Sequence, residues 1–92
     1  MPMKKCVLEG RSFTSLNDVY DSLARQLNFP AHFGRNLDAL WDVLTTDIPG
    51  PLSITWKAYR ASRAALGPDY IRISRLLQEV ARERHDVILR YR

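Results

Sequence analysis

Three short strand-forming runs punctuate this chain, and residues at helical spacing fill both intervals between them. That alternation is its strongest constraint. Lys5-Cys6-Val7-Leu8 is an apolar run that ends at Gly10. Leu52-Ser53-Ile54-Thr55-Trp56 alternates with period two and is rich in strand formers. Asp86-Val87-Ile88-Leu89-Arg90-Tyr91 reads as a third strand. Parallel strands need a long crossover, commonly helical, so this order favours a parallel sheet over a set of hairpins.

The intervals carry their own start and stop signals. Ser15 suits an N-cap, with Asp18 three residues on as a short capping box. Leu16, Val19, Tyr20, Leu23, Ala24 and Leu27 then recur at helical spacing, so a helix is expected over residues 15–27. Asn28-Phe29-Pro30 ends it, because the residue before a proline avoids the helical region. Asn36 can cap a second helix reaching about residue 45, with Leu37, Leu40, Trp41 and Leu44 on one face. Pro49-Gly50-Pro51 is a rigid turn; whether its Gly50–Pro51 bond is cis cannot be read from sequence. Residues 57–66 suit a third helix, stopped by Gly67-Pro68. Asp69 can cap a fourth, running to about residue 84 with a buried stripe of Ile73, Leu76, Leu77 and Val80 beside Ala81. The expected architecture is α/β: a small single domain over residues 1–92, in which a three-stranded parallel sheet is flanked by about four helices.

Ninety-two residues support one modest core, burying about 60–65% of the surface the unfolded chain exposes. Hydrophobic residues make up 46% and charged residues 26%, which argues for a globular chain rather than a disordered one. No apolar run approaches the roughly 18–20 residues that span a bilayer. Met1-Pro2-Met3-Lys4-Lys5 has no apolar stretch after it, so no signal peptide is expected. Cys6 stands alone and cannot form an internal disulfide; it suits a small core residue in a reduced, cytoplasmic protein. His32 and His85 are the only histidines, with no metal-ligand spacing and no Gly-rich phosphate loop. The chain is therefore not expected to be an enzyme or to carry a cofactor.

Charge narrows the question. Fourteen Lys and Arg face ten Asp and Glu, for a net charge of +4. Taken alone, that suggests an anionic partner. Residues 36–56, however, hold Asp38, Asp42 and Asp47 and no basic residue at all. Asp38 falls in the first turn of the second helix, where the dipole favours a negative charge by about 0.3–1 kcal/mol. Asp42 lies one turn further in, where that benefit fades and two like charges at i, i+4 cost about 0.2–0.5 kcal/mol. Local stability does not account for Asp42, whereas a cationic partner would.

The segment from Phe29 to Thr45 resembles the barstar family, intracellular inhibitors of a small secreted bacterial ribonuclease. Pro30, Gly34, Asn36, Leu37, Asp38, Ala39, Leu40, Trp41, Asp42, Leu44 and Thr45 carry the likeness. The opening strand, the spacing to Pro51-Leu52, and Glu79 and Glu83 ahead of the last strand extend it over most of the chain. The resemblance implies a three-stranded parallel sheet and a partner that is a ribonuclease or ribonuclease-like toxin. It also implies a mechanism in which carboxylates take the places of RNA phosphates in the enzyme's active site. On that basis Asp42 is the central charge, and Asp38 meets a second basic group. Gly34 and Asn36 shape the loop, and Trp41 packs at the rim. Glu79 supplies a peripheral salt bridge and Glu83 a weaker one. Two positions depart from the family pattern. His32 stands where a tyrosine stacks on the enzyme's histidine, and Asp47 replaces an aromatic residue. The basic net charge also departs from the acidic balance of the well-known inhibitor, which points toward a less basic target.

Plainer readings stand beside these. Trp41 has core spacing, and a loop histidine such as His32 is commonly just solvated. Glu79 has Arg75 four residues before it and Arg82 three after, so an ordinary surface ion pair is available. A second function is also open: Lys57, Arg60, Arg63, Arg72, Arg75, Arg82 and Arg84 could form a nucleic-acid-binding face.

Overall fold

In the computed structural model, which describes residues 3–92, three parallel strands lie in the order β1-β2-β3. Met1 and Pro2, part of the stretch read above for a signal peptide, lie outside the described residues. The strands are β1 (Lys4–Glu9), β2 (Leu52–Lys57) and β3 (Val87–Tyr91). The helices are α1 (Leu16–Leu27), α2 (Leu37–Asp42), α3 (Tyr59–Leu66) and α4 (Pro68–Glu83). A 3-10 turn, Gly10–Ser12, follows β1, and a π-helical turn, Val43–Asp47, follows α2. The β-α-α-β-α-α-β order and the all-parallel pairing expected from the sequence are both present.

Register explains which side chains make the core. Cys6 pairs with Ile54 and Ile54 with Leu89, while Leu8 pairs with Trp56 and Trp56 with Tyr91. Side chains alternate across a strand, so these residues share one face of the sheet. Cys6, Leu8, Leu52, Ile54, Trp56 and Val87 are all buried there. Val19, Leu23 and Leu27 of α1, Leu40 of α2, and Ile73, Leu77 and Val80 of α4 complete the same cluster. The opposite face presents Lys5, Ile88 and Arg90 to solvent. The radius of gyration, 12.1 Å, matches the ~12 Å of a compact chain this long.

A buried polar knot fastens the carboxyl ends of β1 and β2 to α3. The Ser62 hydroxyl accepts from Trp56 Nε1 at 2.9 Å and donates to the Gly10 carbonyl at 2.9 Å. Ser62 is fully buried, so both groups would otherwise be orphaned in the core. Gly10 is required by the same approach: a Cβ there would meet the Lys57 carbonyl at 2.2 Å and the Ala58 carbonyl at 2.5 Å.

Element ends differ from expectation in four places. Residue 57 is the last of β2 rather than the start of α3, which begins at Tyr59 after Ala58 adopts a left-handed conformation (φ 49°). Gly67, not Asp69, is the N-cap of α4; Pro68 fills the first helical position and Asp69 pairs with Arg72 at 2.8 Å. β3 opens at Val87 rather than Asp86, whose carboxylate is turned to Arg84. The second helix is α-helical only to Asp42 and then widens into the π turn. There the Ile48 N–H donates to the Val43 carbonyl at 3.2 Å. The Thr45 hydroxyl donates to the Trp41 carbonyl at 2.7 Å, and the Thr46 hydroxyl to the Asp42 carbonyl. Hydroxyls three or four residues on compete for carbonyls that a regular helix would use, which is how a Thr-Thr pair loosens a helix end. The widened turn lets Val43, Leu44 and Ile48 all reach the core. The Gly50–Pro51 bond is cis.

Candidate functional site

The loop between α1 and α2 is held from beneath by aromatic rings. Asn28 ends α1 in a left-handed conformation (φ 58°) and donates its N–H to the Ala24 carbonyl. Phe33 then packs edge-on against Tyr20, centroids 5.7 Å apart, and against Phe29 at 5.0 Å. With those rings turned inward, His32 and Gly34 face solvent. Asn36 caps α2 as expected, accepting the Ala39 N–H on Oδ1 at 2.7 Å. Its amide nitrogen also reaches the Gly34 carbonyl at 3.4 Å. A Cβ on Gly34 would stand 3.2 Å from the Ala39 methyl, so the loop lies close against the first turn of α2.

Helix α2 divides cleanly. Leu40 is fully buried, and Leu37 and Trp41 are half-buried against the core. Asp38 and Asp42, one turn apart, are both exposed. Neither joins any ion pair among the described residues, and neither carboxylate accepts a side-chain hydrogen bond there. Asp47 is also exposed, and among the described residues its carboxylate accepts only the neighbouring Thr46 hydroxyl, at 3.3 Å.

One nearby cation is diverted from this surface. Arg35 immediately precedes the cap and sits in a left-handed conformation (φ 53°). Its guanidinium pairs with Asp21 at 2.8 Å and donates to the Asn17 carbonyl and side chain at 3.3 and 3.2 Å, all on α1. Its charge is thus engaged on α1. No motif singles out Arg35; its only signal in the sequence is a basic residue beside an otherwise acidic segment.

Helix α4 packs against α2 and brings its own acids to the neighbourhood. Glu79 is exposed and pairs loosely with Arg82 at 3.5 Å, the ordinary ion pair that its spacing allowed. Glu83 is exposed and unpaired among the described residues. The next residue, Arg84, is mostly buried, with 15% of its side chain exposed. It donates to the Leu44 and Ile48 carbonyls at 2.8 and 2.7 Å and grips both oxygens of Asp86. The end of α4 is therefore bolted to the turn that follows the acidic helix.

Three of the basic residues considered for a nucleic-acid-binding face have partners within the chain. Arg84 serves inside the fold, and Arg72 and Arg82 are paired with Asp69 and Glu79. Among the described residues no group of three or more His, Cys, Asp or Glu side chains is placed to hold a metal ion. No helix is long and apolar enough to cross a membrane.

Fold and surface together define a class, the small parallel α/β domains, here with exposed acids on a helix flank. A family model described as "Barstar (barnase inhibitor)" matches residues 3–91. The chain is also 37% identical over 84 residues to the "Putative ribonuclease inhibitor YrdF" of Bacillus subtilis (strain 168), spanning 91% of this chain and 92% of that relative. The chain belongs to the barstar family, whose members are ribonuclease inhibitors and not enzymes.

Proposed function

We propose that this protein blocks the active site of a ribonuclease or ribonuclease-like toxin in the cytoplasm, acting as an immunity protein. The observation that carries the reading is the state of Asp38 and Asp42. They are exposed on a helix whose other face is core, and among the described residues neither is ion-paired with a cation. Asp42 enters the enzyme's phosphate-binding cluster and Asp38 meets a second basic group. His32, Gly34 and Asn36 present the loop, Trp41 packs at the rim, and Glu79 and Glu83 lie at the periphery. The inhibitor does no chemistry; it substitutes carboxylates for phosphate oxygens and occludes the cleft. Acidic groups facing a basic cleft also speed association, an effect that salt weakens because charges are screened beyond about 8–10 Å.

The test is a binding and inhibition assay against a panel of small bacterial ribonucleases that includes barnase. At least one enzyme should be inhibited in equimolar fashion, with association slowing as salt rises. Against that enzyme, Asp42→Ala should cost about 2–5 kcal/mol, the range for removing one partner of a buried charge pair, for which the barnase–barstar complex is itself a reference case. Unchanged affinity in Asp42→Ala would overturn the mechanism.

A further inference from the structure

The opposite end of the sheet carries the reverse charge. A hollow of about 540 Å³ is lined by Arg11, Ala58, Tyr59, Arg60, Ala61 and Arg92. Its three arginines come from three separate segments, each just beyond the carboxyl end of one strand. Arg11 follows β1, Arg60 follows β2 at the start of α3, and Arg92 follows β3. Among the described residues none of the three joins an ion pair or donates a side-chain hydrogen bond. Of the acids near Arg11 in sequence, Glu9, Asp18 and Asp21 line a different hollow beside α1. Arg25, Arg63, Arg75 and Arg90 are also unpaired among the described residues, but none of them lines this hollow, whereas these three share it.

We infer that this hollow is an anion site whose ligand is an oligophosphate. Bringing three like charges together is unfavourable unless something negative is shared between them. Guanidiniums match phosphate oxygens in a planar, bidentate way, and three of them exceed what a single phosphate group requires. In open parallel sheets the carboxyl ends of the strands are the usual place for ligands. The Tyr59 ring is already engaged, with the Arg60 guanidinium 5.7 Å from its centroid and Tyr91 edge-on at 5.6 Å. It holds Arg60 in place rather than offering itself to a base, so recognition is by charge and not by nucleobase. The Arg92 main-chain oxygen receives the Tyr59 N–H at 3.4 Å, which ties Arg92 to the start of α3. The same chemistry is offered by a free oligophosphate and by a nucleic-acid backbone. This site is separate from Asp38 and Asp42 and stands whether or not they bind a ribonuclease.

The isotope-labelled full chain should be titrated with inorganic pyrophosphate and, separately, with an unphosphorylated single-stranded RNA, reading amide shifts by NMR. Saturating shifts confined to Arg11, Ala58, Arg60 and Ala61 are expected. An Arg11→Gln/Arg60→Gln variant, checked for native fold by its spectrum, should bind at least about tenfold more weakly. Asp42→Ala should bind as the native chain does. Pyrophosphate binding alone identifies a free oligophosphate as the source, and tighter RNA binding at the same residues identifies a nucleic-acid backbone. Shifts spread evenly over Arg25, Arg63 and Arg75, or unchanged binding by the double variant, would overturn the assignment.

Discussion

Arg84 donates to the Ile48 carbonyl at 2.7 Å, joining residues 36 positions apart. One nitrogen serves Ile48 and Leu44 together, while the other two hold Asp86. A single side chain thus closes the π turn after α2, ends α4 and sets the entry to β3. Replacing it leaves two partly buried carbonyls without donors, each costing of the order of 1–3 kcal/mol. Arg84→Met should destabilise the protein by about 2–3 kcal/mol, lowering the melting temperature by roughly 10 °C or more at ~4–8 °C per kcal/mol. A thermal melt checks this, and an unchanged midpoint would mean that the bolt contributes nothing.

Asp38 and Asp42 should behave in the opposite way. Each is exposed, and the pair repels along one helix face. Asp42→Asn should leave stability unchanged or raise it by up to about 0.5 kcal/mol, the size of the i, i+4 repulsion. Urea denaturation of the two proteins measures the difference. A loss above 1 kcal/mol would show Asp42 to be holding the fold rather than serving a partner.

Cys6 should be chemically silent in the native state. It is fully buried on the core face of β1, and desolvation pushes its thiol up to about 12, against a smaller opposing pull from Arg25. The thiolate is the reactive form, so alkylation at pH 8 should proceed only through unfolding. Native protein should resist iodoacetamide for hours, and the urea-unfolded chain should react within minutes. Rapid native labelling would contradict the packing of β1.

Acid should destabilise the fold through two carboxylates, one in a helix cap and one held by an arginine. The backbone N–H of Thr14, followed by its hydroxyl and the Ser15 N–H, holds Asp18 below the usual aspartate value of 3.8. The hydrogen bonds and charge of Arg84 do the same for Asp86. A depressed folded-state value means that the unfolded chain takes up protons first. The contribution is therefore fully present above about pH 5 and fades as pH drops past 3.8 and through the lower folded values. Asp18→Asn and Asp86→Asn should each be less stable near neutrality and lose less on going to pH 3. Parallel stability–pH curves for native and variant chains would refute the assignment.

Much of the frame was legible because it rests on local chemistry. Short strand-forming runs, one of them alternating with period two, marked the strands; Ser15 and Asn36 marked two helix starts, and Gly67-Pro68 marked the break before α4. The solvent-facing flank of α2 was legible for the same reason: a helix that buries Leu40 must turn Asp38 and Asp42 away. Asp69 misled because Asp is a good cap residue and sequence alone does not show that Pro68 already occupies the first helical position. The π turn was hidden because Thr45 and Thr46 fit a helix pattern until their hydroxyls take the carbonyls of Trp41 and Asp42.

By itself, the sequence determined the order of elements, the parallel sheet they imply and the acidic flank, because each follows from spacing along a few neighbouring residues. Only tertiary structure decided where the arginines went. Arg35 is drawn to Asp21, Arg84 is sealed among the carbonyls of Leu44 and Ile48, and Arg11, Arg60 and Arg92 are left together at one end of the sheet. A guanidinium on a long side chain takes whichever partner the folded chain brings within reach, and Asp21 lies 14 residues from Arg35 in sequence while Leu44 lies 40 from Arg84.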